Sequence, residues 1–168
     1  MIRSLRCGTG FDVHRFCQDR DLVLGGVVVK HPLGLAGHSD ADVLVHALMD
    51  ALLGAAALPD IGSFFPDNDV TYQNISSIVL LQKVKSILNE SGFEIINIDT
   101  TIICEKPKVG PYIALMKKKI GNALEVSEDL VGIKATTTEK LGFTGREEGI
   151  ACQAAVLLFK KTENKTID

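Results

Sequence analysis

The chain has 168 residues, 46% of them apolar, enough for one domain with a full core. Its formal charge of -3 comes without a basic stripe interleaved with aromatics, which argues against a nucleic-acid partner. No run approaches the roughly 18 apolar residues of a membrane span, and Cys7, Cys17, Cys104 and Cys152 lack Cys-x-x-Cys spacing, so they read as free thiols in a reducing compartment.

In chain order, residues 2–16 read as a strand that contains Gly10-Phe11-Asp12-Val13-His14. Leu22 to Val29 reads as a second strand interrupted by Gly25-Gly26, where a bulge or a close backbone contact is expected. Ser39 is placed as the N-cap, with Asp42 at N3, of a buried helix running from Val43 to Leu58 and stopped by Pro59. Asp42, His46 and Asp50 recur every fourth residue, so either carboxylate is a candidate to orient the His46 ring.

The stretch from Pro59 to Asp69 holds too many breakers and acids for regular structure and reads as a functional loop or a solvated turn. Ile78, Leu81, Val84 and Leu88 mark an amphipathic helix ended by Gly92. A strand over Phe93 to Cys104 follows, then a helix from Pro111 to about Glu125 with Lys117-Lys118-Lys119 on a solvated face. Two more strands cover Val131 to Thr138 and Gly149 to Phe159. The pattern predicts an α/β (α+β sandwich) domain over residues 1–160, a mixed sheet with helices on one face, and a polar tail over 161–168.

All four histidines fall between positions 14 and 46, three of them among carboxylates. Asp12 and His14 project from one face of an extended segment, about 7 Å apart, and His46 would join them from a helix. Two imidazoles and one carboxylate suit Zn²⁺ with an open fourth position, the arrangement of a catalytic site. Singly, each of these residues also fits a hydrogen-bonded turn or a satisfied interior histidine. A second cluster, Lys134 to Arg146, closes a strand with the run Thr136-Thr137-Thr138, Glu139, two glycines and several cations. That mixture suits phosphate, with Glu139 able to hold a hard divalent cation, although a threonine run is also ordinary strand composition.

The strings Gly-Phe-Asp-Val-His, His-Ser-Asp-x-Asp, Asp-Ile-Gly-x-x-Phe-Pro-Asp and Lys-Ala-Thr-Thr-Thr-Glu-Lys-Leu-Gly-Phe-Thr-Gly-Arg together resemble the 2-C-methyl-D-erythritol 2,4-cyclodiphosphate synthase family, from Arg3 to about Lys160. The resemblance implies a homotrimer with active sites at subunit interfaces, and a CMP-releasing lyase of non-mevalonate isoprenoid biosynthesis acting on a small cytidine diphosphate substrate. It implies zinc on Asp12, His14 and His46, and a second cation, Mg²⁺ or Mn²⁺, on Glu139. His38 and Thr137 match catalytic positions. Substrate contacts are implied for Asp12, Val13, His14, His38, Ser39, Asp60, Ile61 and Gly62, and for Phe65, Pro66, Asp67, Asn68 and Asp69. The cytidine side is implied for Cys104, Glu105, Lys106, Pro107, Lys108, Val109 and Gly110, and phosphate or axial contacts for Thr136, Thr137, Thr138, Glu139, Phe143 and Arg146.

Such an enzyme is expected in a bacterial cytoplasm, or in a plastid-type organelle after loss of a transit peptide. Gln153 stands where relatives commonly carry Glu, so Arg146 is expected to lie unpaired beside a more cationic axial channel. Two rival readings are a metal phosphohydrolase, weakened because no His is followed by Asp, and a trimeric anion-binding module with a closed structural zinc, for which no cysteine is suitably placed.

Overall fold

A computed structural model describes residues 4–66 and 68–161 of the chain. Five strands form one mixed sheet in the order β4-β1-β7-β5-β6. These are β1 (Leu5–Cys17), β4 (Gly34–Leu35), β5 (Phe93–Ile103), β6 (Val131–Thr136) and β7 (Gly149–Lys160). β7 lies in the middle and pairs antiparallel with β1 and β5, while β6 runs parallel to β5. A separate hairpin joins β2 (Leu22–Leu24) to β3 (Val27–Val29).

The helices α1 (Val43–Ala55), α3 (Ser77–Glu90) and α4 (Ile113–Leu124) supply the other layer, and α1 lies directly against β1 and β7. The β7 alternation shows which face is covered: Cys152, Ala154, Val156 and Leu158 are buried, whereas Gln153 and Ala155 are exposed. On the uncovered face Phe11 is 60% exposed and Val13 39% exposed. As expected from the composition, Leu, Ile, Val and Ala dominate the core.

Glycine sets how closely α1 approaches the sheet. A Cβ on Gly8 would stand 2.2 Å from the Ala51 carbonyl oxygen, and one on Gly10 would stand 2.0 Å from that of Ala47. The helix meets β1 backbone to backbone, through alanines, and any larger residue would lift it away. That contact carries His46 to the end of β1 where Asp12 and His14 sit.

Several boundaries differ from those predicted. Gly25-Gly26 is no bulge but the two-residue turn of the β2–β3 hairpin, with φ of 57° and 72° that glycine adopts freely. Asp42, not Ser39, is the N-cap of α1, and the helix ends at Ala55 rather than Leu58. The Asp42 carboxylate accepts the amide hydrogens of Val45, Gly25 and Gly26 at 3.1, 2.9 and 2.6 Å, so it ties the hairpin turn to the helix start. Ser39 was a reasonable cap by type, but its hydroxyl is turned toward His46. The loop after Pro59 holds a short helix, α2 (Ile61–Phe64), capped by Asp60, and a 3₁₀ turn, Val70–Tyr72, capped by Asp69. A last short helix, α5 (Gly142–Gly145), lies in the predicted phosphate cluster. Lys119 belongs to the solvated lysine run, yet its ammonium donates to the Gly26 carbonyl at 2.6 Å. The expected tail lies outside the described residues from 162 onward.

Candidate metal centre

Asp12, His14 and His46 converge. One donor atom from each lies within 4.8 Å of the others, the one such group of His, Cys, Asp and Glu among the described residues. His14 Nε2 is 2.9 Å from Asp12 Oδ2, His46 Nδ1 is 3.2 Å from the same oxygen, and the two ring nitrogens are 3.1 Å apart. The other Asp12 oxygen accepts the Val13 amide hydrogen at 2.8 Å.

What surrounds the rings decides which nitrogens face inward. His14 Nδ1 lies 2.6 Å from the Ala36 carbonyl, which can only accept, so this nitrogen carries the proton and Nε2 presents its lone pair. His46 Nε2 lies 3.0 Å from Ser77 Oγ and 3.1 Å from Ser39 Oγ, with Nδ1 turned to the group. Neither carboxylate expected to orient His46 does so: Asp42 caps α1, and Asp50 accepts the Ile61 amide hydrogen at 2.9 Å. Two serines take that place. Ser77 carried no signal in the sequence, because a serine 31 residues from its partner looks like any helix start.

Three electron-rich atoms pressed together call for a positive charge between them. Burial alone would raise the Asp12 carboxyl, but hydrogen bonds and charge from His14 and His46 overcome it and hold Asp12 well below the usual carboxylate range. Burial would lower His14, and it is outweighed by the Asp12 hydrogen bond and charge, with help from the Ala36 carbonyl, so His14 is raised. Protons and a divalent cation satisfy the same electrostatic demand, and the N,N,O donor set fits a divalent metal ion.

The group forms one wall of a cavity of about 250 Å³. His38 and Ser39 line it on the polar side, and Ile61, Gly62, Phe65, Tyr72, Leu80 and Met49 on the apolar side. The buried His38 Nε2 has no partner among the described residues. Asp60 does not line the cavity; it caps α2 beside the lining residue Ile61, accepting from the Ser63 amide and hydroxyl at 2.9 and 3.0 Å. Val13 points to the opposite, uncovered sheet face. Pro66, Asn68 and Asp69 follow in the loop, and Asp67 lies outside the described residues.

The second cluster gathers elsewhere. Cys104, Pro107, Lys108, Val109, Gly110, Thr136 and Thr137 line a separate cleft of about 390 Å³ that shares no residue with the first. Burial pushes the Cys104 thiol up to about 11, which makes it a wall rather than a nucleophile. Glu105 accepts the amide hydrogens of Thr138 and Lys140 at 3.2 and 3.0 Å and so holds the turn in which Glu139 and Lys140 take φ of 52° and 64°. Thr137 donates its hydroxyl hydrogen to Glu139 at 2.8 Å, and Thr138 meets Thr144 at 2.9 Å. Lys106 pairs with Glu147 at 3.1 Å. Three strand steps separate β1 from β6, about 14 Å. Within one chain, then, Glu139 does not join the Asp12 group.

Arg146 is not unpaired. Its guanidinium donates through Nε and a terminal nitrogen to the two Glu148 oxygens, at 2.8 and 3.2 Å, a forked pair that raises Arg146 and lowers Glu148. The expectation considered only residue 153, whereas the partner lies two positions along the same segment. Phe143 is 37% exposed nearby, and Gln153 pairs in register with Phe11 and Thr101 on the uncovered face.

The YgbB family model matches residues 5–159. A 2-C-methyl-D-erythritol 2,4-cyclodiphosphate synthase of Clostridium botulinum is 57% identical over 92% of this chain and 99% of its own length. A Bacillus cereus protein of the same name is 58% identical over 93% and 99%. Among solved structures, a bifunctional IspDF from Campylobacter jejuni superposes with a TM-score of 0.90 at 44% identity, over 94% of this chain and 42% of that longer one. IspF of Plasmodium falciparum, solved as a CDP complex, gives 0.82 at 31% identity over 95% and 98%. No described helix is long and apolar enough to cross a membrane.

Proposed function

The chain belongs to the YgbB family, and we propose that it converts 4-diphosphocytidyl-2-C-methyl-D-erythritol 2-phosphate to 2-C-methyl-D-erythritol 2,4-cyclodiphosphate and CMP, a step of isoprenoid precursor synthesis. An oxygen of the 2-phosphate forms a bond to the β-phosphorus. The bond from that phosphorus to the bridging oxygen breaks, and CMP leaves with the electron pair. Water takes no part in the balance, which makes the enzyme a phosphorus-oxygen lyase.

Joining two anionic groups is a problem of charge and alignment rather than of strong base. Zinc held by Asp12, His14 and His46 would neutralise phosphate charge and polarise the phosphoryl group, and a second cation, Mg²⁺ or Mn²⁺, would be held by Glu139. His38 and Ser39 face the cavity beside these ligands and offer hydrogen bonds to phosphate oxygens. Ile61, Gly62 and Phe65, with Asp60 and the loop through Asp69, enclose the methylerythritol unit. Thr136, Thr137 and Thr138 donate to phosphate from the second cluster, and the Cys104 to Gly110 turn receives cytidine.

Because the two clusters lie apart in one chain, the second is supplied by a neighbouring copy in a homotrimer. The exposed Phe11 and Val13 on the uncovered sheet face favour such an assembly. The convergence of Asp12, His14 and His46 on one point carries this reading. Phosphorus NMR of the reaction tests it: a cyclic diphosphate with stoichiometric CMP is the expected outcome, and inorganic phosphate or unchanged substrate would refute it.

A further inference from the structure

His46 is a useful ligand only if its proton sits on Nε2, and the hydrogen bonds around it show what puts it there. Ser77 is fully buried at the first position of α3. Its hydroxyl is hydrogen-bonded to Asp40 Oδ1, and its amide hydrogen goes to Asp40 Oδ2 at 2.9 Å. Asp40 therefore caps α3 from a distance, where the residue before the helix, Ser76, makes no side-chain cap bond. Two backbone bonds place Asp40 there, from Asp40 N to the Ile75 carbonyl at 3.1 Å and from Asn74 N to the His38 carbonyl at 2.9 Å.

A carboxylate only accepts, so the single Ser77 hydroxyl hydrogen belongs to Asp40. Ser77 Oγ can then meet His46 Nε2, 3.0 Å away, only as an acceptor. Ser39 Oγ already accepts the Ala41 amide hydrogen at 3.2 Å, and its own hydrogen has as its nearest protein alternative a 3.5 Å contact to Ser77. Ser39 also lines the cavity.

We propose that Asp40 and Ser77 are positioning residues of the metal centre: they fix the proton of His46 on Nε2, turn its Nδ1 lone pair toward the ion, and leave the Ser39 hydroxyl hydrogen for a phosphate oxygen. This inference rests on the proposed function for the ion and the phosphate. It explains why the first acid of His-Ser-Asp-x-Asp, Asp40, stands where it does, and it places the segment bearing Ser77, at the end of the cavity loop, in control of a ligand on another helix.

Asp40→Asn gives the sharpest test. An amide has one acceptor oxygen, and of the two backbone amides that reach Asp40 the Ser77 amide at 2.9 Å outcompetes the Asp42 amide at 3.3 Å, so the NH₂ faces Ser77 Oγ and donates to it. The Ser77 hydrogen then turns onto His46 Nε2 and drives the ring proton to Nδ1, where an ion must displace it. Zinc affinity of the full-length protein, measured by competition with a chromophoric chelator, should fall about 10- to 100-fold in Asp40→Asn and in Ser77→Ala. Ser39→Ala, which leaves the Asp40–Ser77 pair in place, should lower zinc affinity far less than Ser77→Ala and lose turnover. In the zinc-loaded wild type, the His46 Nε2 proton should exchange slowly by NMR, and that protection should vanish in Ser77→Ala. Should Ser77→Ala fail to fold, Asp40→Asn, which keeps every side-chain volume, carries the test. Unchanged zinc affinity in both variants, beside a wild type that binds zinc and forms the cyclic product, overturns this inference alone. A wild type that binds no zinc overturns the proposed function with it.

Discussion

The two clusters of this chain differ in how finished they are. The Asp12 end is half-buried, its donor atoms already converge, and each ring nitrogen that points outward has a partner. The Glu139 end is a shaped but open turn: Glu105 fixes its backbone, while its threonines and Glu139 bond mainly to one another. Metal chelation needs ligands held before the ion arrives, so that end is preorganised within one chain. In the proposed reaction the phosphate and nucleotide groups of the substrate would meet the Glu139 end, supplied there by a second copy.

Removing one element from the finished end should have the largest effect. His46→Ala should abolish metal binding and lower kcat by about 10³-fold or more, with an unchanged circular dichroism spectrum; retained metal and rate would break the distinction between the two ends. Glu139→Ala should also be nearly inactive. Mixing the two dead proteins through unfolding and refolding should restore about one site in four if each site draws its halves from different copies of a ring. No recovery in the mixture would place both halves in one chain.

Next in size is the contact that carries His46 to β1. Gly10→Ala should cost about 3 kcal/mol, the upper range for overpacking, seen as a lower midpoint in denaturant, and should weaken metal binding because α1 must move. A smaller effect is expected at Asp42. Its carboxyl is pushed up to about 6, from an ordinary 3.8, by burial and then by the Asp40 charge, against the pull of its three amide donors. Asp42→Asn should cost about 1–3 kcal/mol, because an NH₂ replaces the acceptor of the Gly26 amide hydrogen. The pH dependence has a definite sign. A raised carboxyl contributes stability that is fully present below pH 3.8 and lost as the pH rises through about 6. The gap between wild type and Asp42→Asn in urea titrations should therefore narrow from pH 4 to pH 7, and a gap that widens would contradict this.

Legibility in the sequence also divides between the two ends. Asp12 and His14 could be read because two residues apart on a strand fixes a common face, and His46 because all the histidines are concentrated in one region. The sheet and the three long helices followed from apolar periodicity, and their ends shifted by a few residues. Ser77 and Asp40 could not be read, since their roles exist only once the 74–77 and 38–40 segments are brought side by side. The sequence does not single out Asp42 over Ser39 as the cap, because Ser and Asp are equally good caps and only the hairpin amides decide between them. Nothing in the sequence pairs Arg146 with Glu148, because a surface pair two residues apart has no periodic signature.

The most direct test of the metal centre is anomalous scattering at the zinc edge from crystals grown with zinc. The account predicts one peak per chain, bonded to Asp12 Oδ2, His14 Nε2 and His46 Nδ1, with its remaining position open to the cavity. A peak enclosed by a fourth protein atom, or no peak between these three residues, would contradict it.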